Sequence, residues 1–240
     1  MNHGLLRIQV ISPLPDDLPP DRWRLTADEM KRAHSFRHAD DASRWAFCRS
    51  ALRRTLGELL GLAPNDVPLV TGENGKPCLA RPFDHLHFNL SHCAELALIA
   101  ISLDGPVGID VESSARAADL LGCEEAFCHP HEIAGLPASG DQRAARLLEL
   151  WTAKEALVKA LGTGLAHPPD AIRLHLDGAG IRVSADTLPP GLEHHVISRL
   201  GPGLPPGFTA AVCHPLVSKV FEIFLPLEST NSDPSATTTA

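Results

Sequence analysis

"GIDVES", Gly108–Ser113, places two carboxylates, Asp110 and Glu112, two positions apart in an otherwise apolar run. A strand projects alternate side chains to opposite faces, so this stretch reads as a strand with Ile109 and Val111 on the core and both acids on the other face. Two like charges a few ångströms apart repel, and one takes up a proton unless a cation lies between them. Taken alone, a pair of acids at this spacing is most simply a solvated strand face. The rest of the chain has to decide whether it is more.

The segment that bears on it is "LWTAKEALVKALGTG", Leu150–Gly164. Projected as a helix, it is apolar around most of its circumference, with Leu150, Leu157 and Leu161 on one line and Ala153, Ala156 and Ala160 on another. Its main polar gap, at about 140° to 180° from Leu150, holds Glu155 and Lys159. An ordinary i,i+4 ion pair, worth about 0.3–0.5 kcal/mol, would account for them. A polar window so narrow on a greasy helix is better explained by a charged cleft. Lys154 falls inside the apolar arc and must snorkel or find a partner. Set beside Asp110 and Glu112, Glu155 makes a third carboxylate, and three carboxylates with a lysine suit Mg²⁺ sharing a site with phosphates.

The frame for such a site is a chain of 240 residues, long enough for one large domain or two small ones in contact. With 44% hydrophobic and 21% charged residues it reads as an ordinary globular protein. No apolar run approaches the roughly 18 to 20 residues of a membrane span. The start "MNHGLLRIQVISPLP" lacks signal-peptide features, and the expected location is the cytoplasm. Six scattered cysteines argue against a disulfide framework. The net charge of −8 gives no global nucleic-acid signal, although Arg22 to Arg54 form a locally basic zone that could take a polyanion or an acidic partner.

Along the chain, Thr26 and Glu29 form a capping box that predicts a helix from about residue 27. The next helix, "DDASRWAFCRSALRRTLGELLG", is predicted to stop at Gly61. Apolar stretches near 67–70, 85–90, 95–102 and 106–112, separated by Asn74-Gly75 and Asp104-Gly105 turns, read as an antiparallel sheet. A helical region at about 114–136 and a strong helix at 142–161 follow. Short β-like runs come next at 171–176, 181–185, 194–199, 207–213 and 219–225. Helices then sheet, twice, predicts two similar α+β lobes: 1–105, and 106–226, with 227–240 a disordered tail.

Four ordered motifs, "NGKPCL" at 74–79, "FNLSH" at 88–92, "VGIDVES" at 107–113 and "WTAKEALVKALGTGL" at 151–165, make the chain resemble the 4'-phosphopantetheinyl transferases, in particular the larger surfactin-synthetase-activating type. The resemblance covers residues 20–165 and extends weakly through "FRHADDASR". It implies an α+β fold of two lobes related by a pseudo-twofold, with the active site in the cleft between them and a monomer as the working form. The implied reaction moves 4'-phosphopantetheine from coenzyme A to a serine of an apo acyl or peptidyl carrier protein, releasing adenosine 3',5'-bisphosphate, as in secondary metabolite biosynthesis. Asp110, Glu112 and Glu155 match the family's Mg²⁺ ligands, a place Mn²⁺ can also take. Glu155 matches the base for the serine, and Lys159 the group on the leaving phosphate. Arg44, Lys76, Ser91 and His92 match positions that contact coenzyme A.

Ser91 and His92 are not expected to act as nucleophile and base, because adjacent residues on an extended chain point to opposite faces. Trp151 reads as packing. A basic surface around Arg49 and Arg53 is a possible dock for an acidic carrier helix. Three rival readings compete: zinc at Cys123, Cys128, His129 and His131, whose spacing fits no standard site; a Mg²⁺-dependent phosphohydrolase; and a non-catalytic coenzyme A or carrier-binding module. No nucleic acid or membrane partner is expected.

Overall fold

The computed structural model describes residues 5–11, 23–93, 96–164, 167–178, 180–201, 203–218 and 220–224. The predicted tail lies outside them. Strand β1 (Leu5–Ile11) comes first, then helices α1 (Ala27–His34) and α2 (Ala39–Leu60). The hairpin β2 (Leu69–Thr71) and β3 (Pro77–Leu79) turns at Asn74 and Gly75, both at positive φ. Then follow β4 (His87–His92), β5 (Ala97–Ser102) and β6 (Gly108–Ser113), a 3-10 turn at Ser114–Leu120, and helices α3 (Pro130–Ala134) and α4 (Gly140–Leu161). Five strands finish the chain: β7 (Leu174–Asp177), β8 (Gly180–Val183), β9 (His195–Leu200), β10 (Phe208–Pro215) and β11 (Val220–Phe224).

One sheet has the order β11-β1-β5-β4 and the other β6-β10-β9-β8-β7. Alternation along the strands gives each sheet two apolar faces. Leu6, Ile8, Val10, Leu98 and Ala100 pack against Ile109, Val111, Ala210 and Val212 of the other sheet. The opposite face of the first sheet, with Ala97, Ile99 and Ile101, takes Cys48, Leu52 and Leu56 of α2. That of the second, with Ala211 and Cys213, takes Ala153, Ala156 and Leu157 of α4. The result is an α+β molecule of four layers, helix, sheet, sheet and helix. Ile109 and Val111 point to the middle, so Asp110 and Glu112 point toward α4.

Three expectations change. Strand β1 was not foreseen, yet it lies inside the first sheet, with β11 on one side and β5 on the other. The run 67–112 is not one sheet: β2 and β3 stand apart, and β6 joins the second sheet beside β10. The helical region at 114–136 is broken into 3-10 turns and the short α3, because Gly122 sits at φ 86 and Pro130 restarts the chain. All six cysteines are free. Among the described residues no helix is long and apolar enough to cross a membrane.

Candidate active site

The edge strand of the first sheet, β4, lies against the edge strand of the second, β6, and side chains join them. Asn89 Oδ1 accepts the backbone N–H of Ile109 at 2.9 Å. Two residues on, Ser91 Oγ donates to Asp110 Oδ1 at 2.9 Å. Gly108 lets α4 settle directly on β6, bringing Lys159 within reach: its Nζ donates to Asp110 Oδ1 at 2.5 Å and to Ser91 Oγ at 3.1 Å. Lys159 thus pairs with an acid across the layers, and not along its own helix with Glu155. Asp110 is 4% exposed and its Oδ2 has no hydrogen-bond partner.

Glu112 is held elsewhere on the same face. Its Oε2 meets Arg116 at 2.8 Å, and its Oε1 accepts Trp151 Nε1–H at 3.3 Å. Trp151 therefore does more than pack, although its ring also stands edge-on to Phe127 at 5.3 Å between centroids. Burial raises the pKa of Glu155; Lys159 opposes this, while the charges of Asp110 and Glu112 add to it. The three acids thus share one electrostatic neighbourhood.

Among the described residues no group of three or more His, Cys, Asp and Glu side chains is gathered closely enough to hold a metal. Asp110 is engaged by Lys159, and Glu112 by Arg116 and Trp151. The chemistry of the set nonetheless fits a hard divalent cation: three carboxylates, one with an unpartnered buried oxygen, and one whose ionisation burial disfavours. The zinc reading finds no support. His129 caps α3 by accepting the N–H of His131 at 3.2 Å, and burial pushes the Cys128 thiol up to about 12.

The other predicted residues divide. His92 ends β4, and its pKa is lowered first by desolvation and then by the charges of Arg44 and Lys159. Arg44 also pairs with Asp41 at 3.3 Å. Ser91 is buried and bonded to Asp110. Lys76 Nζ is spent on backbone carbonyls. Arg53, 3% exposed, cannot be part of a docking surface: it grips Glu29 at 2.6 Å and the carbonyls of Pro64 and Val67 at 3.0 Å, while Arg49 meets Glu29 at 2.6 Å. Glu29 is thus capping residue and counter-ion at once. Sequence reasoning passed over Asn89, Gly108 and Arg116. A lone Asn within an apolar strand, a Gly opening one, and the i,i+4 spacing of Arg116 from Glu112 were the available signals.

Comparison with known proteins points to one family. Residues 106–215 match the model of the 4'-phosphopantetheinyl transferase superfamily, and residues 13–104 that of the 4'-phosphopantetheinyl transferase N-terminal region. The chain is 36% identical over 145 residues to the 4'-phosphopantetheinyl transferase HetI of Nostoc, a match spanning 59% of this chain and 61% of that protein. It is 32% identical to the transferase ffp of Bacillus subtilis, over 79% of this chain and 81% of the relative. To Sfp of the same species it is 28% identical, over 80% and 83%. On these matches, the chain belongs to the 4'-phosphopantetheinyl transferase superfamily.

Proposed function

We propose that this chain moves 4'-phosphopantetheine from coenzyme A to a serine hydroxyl of an apo carrier protein, releasing adenosine 3',5'-bisphosphate. One observation carries the reading: Asp110 sits where the two sheet edges meet, held by Ser91 from one lobe and Lys159 from α4, with a free buried oxygen beside a Glu155 of raised pKa. The family relationship supports the same chemistry. Both sides of the cleft come from one chain, which suits action as a monomer.

Asp110, Glu112 and Glu155 would hold Mg²⁺, which when bound offsets the charge of the coenzyme A pyrophosphate. The serine oxygen attacks the β-phosphorus, forming the new P–O bond as the bond to the bridging oxygen breaks toward the nucleotide phosphate. Glu155, half-buried on α4 in the same neighbourhood as Asp110 and Lys159, would take the serine proton. The Lys159 ammonium, bonded to Asp110 in the free protein, is close enough to the acids to stabilise the leaving phosphate. Arg44 and His92, close enough for the charge of the first to act on the second, would meet the nucleotide phosphates.

The test is to incubate the protein with an apo carrier protein, coenzyme A and Mg²⁺ and to weigh the carrier. The expected result is a gain of one phosphopantetheine, reduced by about 10²–10⁴-fold in Glu155→Gln and Asp110→Ala. Nucleotide release with an unmodified carrier would identify a phosphohydrolase instead, and coenzyme A binding without turnover a binding module.

A further inference from the structure

Lys76 follows the Asn74-Gly75 turn in the first lobe, and its side chain crosses into the second. Its Nζ donates to Lys159 O at 2.5 Å, to Val107 O at 3.1 Å and to Ala160 O at 3.5 Å. An ammonium has three donors, and all three are used. The carbonyls of Lys159 and Ala160 belong to the last turn of α4, where no intrahelical N–H is available to them, and a cation there also suits the helix dipole. Val107 immediately precedes β6. Asn74 adds a second contact from the same turn, its Nδ2 donating to Gly162 O at 3.1 Å. Gly162 caps α4 at φ 71, and a Cβ on it would stand 3.3 Å from Lys76 Cδ, so the lysine stem also packs closely on the cap.

The two gripped elements are those that bear the acids. Lys159 is held at both ends: its carbonyl by Lys76 and its ammonium by Asp110 and Ser91. We infer that the Asn74–Lys76 turn is an inter-lobe latch that fixes the end of α4 against the start of β6, and that Lys76 is a positioning residue for Glu155 and Lys159, with no phosphate contact of its own. The latch is read from contacts in the free protein; its effect on rate rests on the transferase function proposed above.

The experiment compares wild type with Lys76→Met and Asn74→Gly in the full chain. It reads kcat and the KM for coenzyme A from carrier mass, the inhibition constant of adenosine 3',5'-bisphosphate, and amide hydrogen exchange across residues 158–162. A latch requires faster exchange in that turn and a kcat lower by about tenfold for Lys76→Met, since small displacements of catalytic groups are costly. The KM and the inhibition constant should stay within about twofold of wild type. A rise of about tenfold in either constant, with exchange unchanged, makes Lys76 a nucleotide contact and overturns the inference. Unchanged exchange and kcat overturn it as well. If Lys76→Met does not fold, Asn74→Gly, which removes one exposed hydrogen bond and suits the positive φ of that position, must show the same pattern to a smaller degree. A wild type that fails to modify any carrier would sink the proposed function, while the exchange arm would still decide the latch.

Discussion

A Cβ added at Gly108 would lie 2.0 Å from the carbonyl oxygen of Ala156 and 2.3 Å from the nitrogen of Ala160, both backbone atoms of α4. Neither can move without moving the helix. Gly108→Ala should therefore lift α4 off β6 and separate Lys159 from Asp110, destabilising the protein by about 3 kcal/mol or more. Urea denaturation checks the stability, and an alanine variant as stable as wild type would refute the close-packing account. At this scale the sequence was partly legible. Alternation in "GIDVES" predicts which side chains share a face, and the structure has Ile109 and Val111 in the core with Asp110 directed at α4. What alternation cannot say is which helix covers the acidic face, because that depends on packing between segments far apart in the chain. The preference of Lys159 for Asp110 over its helical neighbour Glu155 is such a tertiary outcome.

Within α4, Lys154 shows how one element is fastened to the lobe around it. The helical projection put it in the apolar arc, and the structure buries it completely: Nζ meets Glu132 Oε2 at 2.7 Å and the carbonyls of Phe127, Pro169 and Ile172 at 2.9, 2.9 and 2.7 Å. Glu132 is satisfied in turn, accepting the N–H of His129 at 2.7 Å and of Leu174 at 2.6 Å. Lys154→Met would leave a buried carboxylate without its cation and should cost about 3–5 kcal/mol. Adding Glu132→Gln to it should restore part of the loss, since the uncompensated charge is then removed. Denaturation midpoints of the two single variants and the double variant measure this; additive losses would show that the ion pair is not the fastening. The sequence revealed that Lys154 needed a partner, but not which one, since Glu132 lies on a different helix. Element reading was strongest where caps and periodicity agreed, as for α2, which ends at Gly61 with φ 68. It was weakest at β1, although "LLRIQVI" alternates Leu6, Ile8 and Val10 with Arg7 and Gln9. A partner strand so remote as β11 leaves no local trace.

Across the whole molecule, the buried titratable groups set how stability responds to alkali. Burial pushes the thiols of Cys48, Cys128 and Cys213 from 9.0 up to about 12, so each stays protonated in the fold after it would ionise in the unfolded chain. Each contributes stability that is complete below pH 9 and is lost at about 1.4 kcal/mol per pH unit up to about 12. Two lysines act in the opposite sense. Burial lowers Lys76 from 10.5 to about 8 and also lowers Lys154, so the unfolded chain holds those protons longer and folding gains as pH rises toward 10.5. Between pH 9 and 10.5 the three losses outweigh what the lysines return, and above 10.5 the lysines have nothing left to give. Stability should therefore fall from pH 9 and fall more steeply beyond 10.5, with failure shared between lobes because Cys48 lies in the α2 core and Cys128 and Cys213 in the α4 core. Urea midpoints at pH 8, 9, 10 and 11 should show this curve, and Cys48→Ala should flatten it by about a third of the thiol contribution. A midpoint that holds steady or rises from pH 9 to 11 would mean that the buried thiols do not govern the alkaline limit.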